Sequence, residues 1–74
     1  MTTSEQILAY NLYRVRVLLK VSRPVLAQRL GIPKATIKNY ETGLRRVPAS
    51  YLIAIIGLCT AEQRDCILNK VMIP

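Results

Sequence analysis

At 74 residues, of which 51% are apolar, the chain is long enough for one domain and close to the lower limit for a core that holds without staples. It contains no histidine, and its two cysteines, Cys59 and Cys66, cannot build a disulfide framework, so a cytoplasmic, reduced setting with both thiols as small buried hydrophobes is expected. A net charge of +7 points to a polyanionic partner.

The opening MTTSEQ has neither a basic region nor an apolar run, so no signal peptide is expected. Thr3 with Gln6 forms a capping-box pair that starts a first helix, predicted to run to about Lys20. Leu8, Leu12, Val15 and Leu19 recur at steps of four, three and four, which is one buried stripe, and Arg16 borders it.

Ser22 is an N-cap for a short second helix that tolerates Pro24 in its first turn and turns Leu26 and Leu30 inward. Gly31 ends it with a positive φ. Ile32 and Pro33 lead into a third helix, Lys34 to Thr42, stopped at Gly43. On a helical wheel Lys34, Lys38, Thr42, Ala35 and Asn39 fall within roughly 140° of one another, while Thr36, Ile37, Tyr40 and Glu41 take the other side.

The basic loop LRRVP precedes a fourth helix, about Ala49 to Cys59, that is apolar nearly all round and is expected to be buried on two sides. At nine residues, the run Tyr51 to Cys59 is far short of the roughly 20 that cross a bilayer. Thr60 and Gln63 form a second capping box for a fifth helix to about Met72, with Ile67, Leu68, Val71 and Met72 on its apolar side. No strand pattern, internal repeat or low-complexity tract is present, so the fold class is all-α with five helices.

The charge is concentrated. Arg14, Arg16, Lys20, Arg23, Arg29, Lys34, Lys38, Arg45 and Arg46 face only one acid, Glu41, within their own segment. Solubilising charge would be spread and mixed with acids; this distribution is a footprint for a polyanion. Ala27 permits close helix approach, Gly31 gives a tight bend, and Leu26, Leu30, Ile32, Ile37 and Tyr40 lock two helices together while one face stays free.

These residues, LAQRLGIPKATI and YETG with the following ETGLRRVP, resemble the lambda-repressor-like (Cro-like) helix-turn-helix family of phage, plasmid and bacterial regulators. The similarity covers about Arg14 to Cys59. It implies a single DNA-binding domain over residues 1–74, with the motif at about 23–43 and the helices of 49–72 serving core and dimerisation. One departure is Pro33, where the family more often has a capping Ser or Thr.

The resemblance implies base contacts from Lys34, Ala35, Lys38 and Asn39, with Thr42 at the margin, and the chemistry agrees: lysine donates to guanine, asparagine pairs with adenine, and the alanine methyl meets thymine. Phosphate contacts are implied for Arg23, Gln28, Arg45 and Arg46. Family members often pair the first helix with the end of the third, which here implies a structural ion pair of Arg16 with Glu41. Ile56, Ile67, Leu68, Val71 and Met72 supply the expected dimer surface.

The expected function is therefore a homodimeric, sequence-specific double-stranded DNA-binding regulator, a repressor acting by occupancy of a palindromic operator. The alternative is a protein-binding module, an antitoxin or antirepressor with secondary DNA binding. Catalysis finds no nucleophile beside a base and no phosphate loop, and no metal, cofactor, membrane or small-molecule ligand is expected.

Overall fold

The computed structural model describes residues 3–74, and its first helix begins at a reciprocal cap. The Thr3 hydroxyl accepts from the Gln6 N–H at 3.1 Å while the Gln6 side chain accepts from the Thr3 N–H at 2.8 Å. From there α1 (Ser4–Leu18) leads to α2 (Arg23–Leu30), α3 (Lys34–Glu41), α4 (Ala49–Ile56) and α5 (Ala61–Leu68). Among the described residues there is no strand, and the fold is all-α.

Four helix ends close by the same device, a residue with positive φ just past the last turn. Gly31 (φ 68°) and Gly43 (φ 77°) do so without a Cβ penalty. Lys20 (φ 59°) and Lys70 (φ 58°) do so despite one. At each lysine the next residue reaches back: the Val21 N–H donates to the Arg16 carbonyl, and the Val71 N–H to that of Cys66. Both helices therefore stop before the sequence reading placed their ends. Leu19, read as part of the buried stripe, lies beyond α1 and is exposed.

Leu12, Val15, Leu26, Ile37, Tyr51 and Ile55 form the centre of the core. Tyr40 packs its ring against Tyr51 with centroids 4.7 Å apart. The core is completed by the chain end. Asn11, fully buried, donates to the Val71 carbonyl and accepts from the Ile73 N–H, both at 2.8 Å, and so acts as a backbone-like partner for the tail. Ile73 is thereby buried, and Arg14 Nε reaches the Pro74 carbonyl at 3.2 Å.

Three expectations about the C-terminal half are corrected. Helix α4 is buried on one side only, through Tyr51 and Ile55; Ile53 is 69% exposed because so small a core offers a second layer nothing to pack on. Ile67, assigned to a dimer surface, is 6% exposed and belongs to the monomer's own core. The ending of α5 at Leu68 puts Val71 and Met72 on the non-helical tail instead of a helix face, and both are exposed there.

Candidate nucleic-acid interface

Helix α3 packs against both α1 and α2. Pro33 enters it in an extended conformation (φ −63°, ψ 143°) with no side-chain cap, so the first turn is held by packing and by the Thr36 N–H on the Pro33 carbonyl at 3.0 Å. Ile37 and Tyr40 are buried beneath it. Their burial fixes its rotation about its own axis, which leaves Lys34, Ala35, Lys38 and Thr42 exposed and Asn39 half-buried at the edge. The Thr42 hydroxyl donates back to the Lys38 carbonyl at 2.8 Å, so it is already engaged.

A second anchor lies at the end of α3. The Glu41 carboxylate is fully buried and accepts from Arg16 Nε at 2.7 Å and from Arg16 Nη2 at 3.1 Å, a bidentate pair across α1 and α3. Arg16 Nη1 also donates to the Val21 carbonyl at 3.0 Å, and its guanidinium lies 5.6 Å from the centre of the Tyr13 ring. The same carboxylate accepts from Arg23 Nε at 2.9 Å. One acid therefore joins α1, the start of α2 and the end of α3. Arg23, assigned from the sequence to a phosphate, spends its Nε inside the protein.

The loop after α3 is held to it by the Arg45 N–H, which donates to the Asn39 carbonyl at 3.3 Å. Arg45 and Arg46 are exposed there, with Val47 turned toward the core. Gln28 and Arg29 are exposed on α2. Among the described residues both salt bridges end on Glu41, so Lys34, Lys38, Arg45 and Arg46 have no acid partner. They leave α3 and its following loop with uncompensated positive charge, and the small side chain of Ala35 and the amide of Asn39 lie beside the lysines on the same face of the helix.

Several features had no readable signal. Asn11 is an ordinary polar residue in a helix until the tail comes back to it. The buried Tyr51 hydroxyl has no hydrogen-bond partner among the described residues, and burial, with the Glu41 charge adding to it, pushes its pKa up to about 12. Burial also pushes the Cys59 thiol up, against the opposing charge of Arg64, and its Sγ donates to the Ile55 carbonyl at 3.2 Å. A raised thiol that is already bonded is a poor nucleophile. Among the described residues no cluster could hold a metal ion, and no helix is long and apolar enough to cross a membrane.

A family model described as helix-turn-helix matches residues 12–59, well over half of the chain. No curated protein and no solved structure matches it.

Proposed function

The chain belongs to the helix-turn-helix family of lambda-repressor-like (Cro-like) DNA-binding transcription regulators, and from that premise we propose that it is a repressor that occupies a palindromic operator as a homodimer. The observation that carries this reading is the combination on α3: Ile37 and Tyr40 pinned inward, and the Lys34, Lys38 and Asn39 edge free and without acid partners. Such an edge enters the major groove as a rigid unit.

In this reading Lys34, Ala35, Lys38 and Asn39 meet base edges, with Thr42 at the margin. Arg45, Arg46 and Gln28 meet phosphates, and Arg23 offers a phosphate the guanidinium nitrogens that Glu41 does not take. The Arg16–Glu41 pair keeps the reading helix fixed to α1. The whole chain acts as one binding domain in the cytoplasm, and repression follows from occupancy.

The self-association surface draws on the exposed apolar residues Ile53, Leu68, Val71 and Met72 and on the half-buried Ile56. So much exposed apolar side chain on one small domain calls for a cover. The longest dimension of the protomer is 30 Å, so two copies fit side by side on half-sites about 34 Å apart.

Selecting bound fragments from a random pool of duplexes tests the proposal. The expected result is an enriched inverted repeat with half-site centres about one helical turn apart. No enrichment over the starting pool, or an enriched single site without symmetry, would count against it.

A further inference from the structure

Behind the basic loop lies a groove of about 550 Å³ between the first half of α1, the loop, α4 and α5. That volume is in the range of sites for small organic ligands. Its floor is apolar, formed by Leu8, Tyr40, Val47, Leu52 and Ile67. Asn11 also lines it, but its amide is already satisfied by the tail, so the floor offers no unmet polar group. The rim carries Arg45, Arg46 and Lys70 against a single acid, Glu5.

We propose that this groove binds a single-chain anionic amphiphile, a carboxylate on an unbranched apolar tail, and that its occupancy opposes DNA binding. The tail fits an apolar floor that water fills poorly, and the head fits the rim's excess of positive charge. A neutral lipid leaves the rim cations unmatched, and a short anion leaves the floor wet. The sequence carries no hint of a small ligand, because the lining comes from four separate segments.

Antagonism follows from shared residues and rests on the phosphate role proposed for Arg45 and Arg46. A carboxylate held by either arginine withdraws that charge from the DNA backbone. The tail also touches Tyr40, one of the two pegs that set the rotation of α3. Ligand and DNA then weaken each other by the same factor, as linkage requires.

The test uses decanoate at monomeric concentrations, with decan-1-ol as the neutral control, followed by amide chemical shifts of the full chain. Decanoate is expected to shift Ile7, Leu8, Val47 and Leu52, and decan-1-ol to bind at least about tenfold more weakly. Leu52→Trp, which fills the groove, should abolish the shifts. Lys70→Gln, a surface change, should weaken decanoate several-fold and keeps the test valid if the tryptophan variant does not fold.

Saturating decanoate should then weaken duplex binding, read by fluorescence anisotropy, by about fivefold or more. Lack of decanoate binding, equal binding of decan-1-ol, or shifts confined to Ile53, Val71 and Met72 would overturn the site. So would groove shifts that depend on protein concentration alone, since a second copy would then be the occupant. Decanoate in the groove with duplex affinity unchanged would overturn the antagonism. A protein that takes decanoate but never binds duplex would overturn the DNA reading and the antagonism with it, and leave the site standing.

Discussion

Arg16 Nε and the Glu41 carboxylate lie 2.7 Å apart, with the Glu41 side chain wholly out of solvent and that of Arg16 only 12% exposed. A buried pair of this kind adds little net stability over an apolar pair of the same shape, but removing one member strands the other. Here the stranding is worse than for a simple pair, because Glu41 also neutralises Arg23. Glu41→Gln should therefore destabilise the fold by about 3 to 5 kcal/mol, read as a lower denaturant midpoint at constant slope. An unchanged midpoint would mean that the three helices do not depend on this acid for their mutual arrangement.

Tyr51 gives the opposite expectation. Its hydroxyl is buried without a partner, so Tyr51→Phe removes an uncompensated polar group while keeping the ring against Tyr40, and should stabilise by about 1 kcal/mol. The pH dependence has a definite sign. With the folded pKa pushed up to about 12, the unfolded chain releases this proton first, from about pH 10 upward. The unfolded state then binds fewer protons than the folded one, so stability is intact below pH 10 and falls between there and about 12. Urea melts across that window should show a shallower fall for Tyr51→Phe than for the wild type; parallel curves would show that the ionisation is not coupled to folding.

Asn11 makes the two buried side-chain bonds to the tail, beside the Val71 N–H on the Cys66 carbonyl and Arg14 on the Pro74 carbonyl. Asn11→Ala removes the bond to the Val71 carbonyl and the one bond that the Ile73 N–H makes, and Ile73 then loses its place in the core. The expected cost is about 2 kcal/mol, with fast hydrogen exchange at the Ile73 amide and little change at Ile37. Slow exchange at Ile73 in the variant would show that apolar packing alone keeps the tail in place.

How far these relationships could be read beforehand depends on their range along the chain. Both capping boxes, Thr3 with Gln6 and Thr60 with Gln63, are local reciprocal pairs, and so are legible at a spacing of three. Gly31 and Gly43 are legible because few other residues take a positive φ without strain. Lys20 and Lys70 take the same conformation with no such signature, which is why periodicity alone extends α1 and α5 past their ends. The inward set of α3 follows from helical periodicity, and with it the exposed edge. Periodicity says nothing of which cation meets Glu41, and Arg23 joins Arg16 there only because the start of α2 is folded over the end of α3. The apolar surplus of α4 was visible, yet composition does not distinguish a helix covered within its own chain from one with Ile53 left open to a partner.

Base and backbone roles separate in a single set of duplex measurements. Lys38→Ala or Asn39→Ala should cost about 1 to 3 kcal/mol on the selected operator and relax preference at one position. Arg46→Ala should weaken operator and random duplex alike and reduce the slope of log affinity against log salt by about one. The contrast depends on the rigidity of α3: the same losses on operator and random DNA for all three variants would mean that the Lys38–Asn39 edge only neutralises phosphates.

The self-association surface can be tested apart from the fold, because Ile53 and Leu68 are 69% and 60% exposed and add little to the protomer's own core. Ile53→Asp and Leu68→Asp should leave the melting of the dilute protomer within about 0.5 kcal/mol of the wild type, as surface changes do. In sedimentation at high micromolar concentration the wild type should run as a dimer and both variants as monomers. Ile67→Asp is the control in the other direction: it buries a charge in the core, and should unfold the protomer whatever its oligomeric state. On DNA, the loss of the dimer removes the gain from engaging two half-sites at once, so operator affinity should fall much further than random-duplex affinity. A wild type that stays monomeric at these concentrations, with operator binding untouched by Ile53→Asp, would leave the exposed apolar set to some other partner and reduce the two-fold operator to a coincidence of sequence.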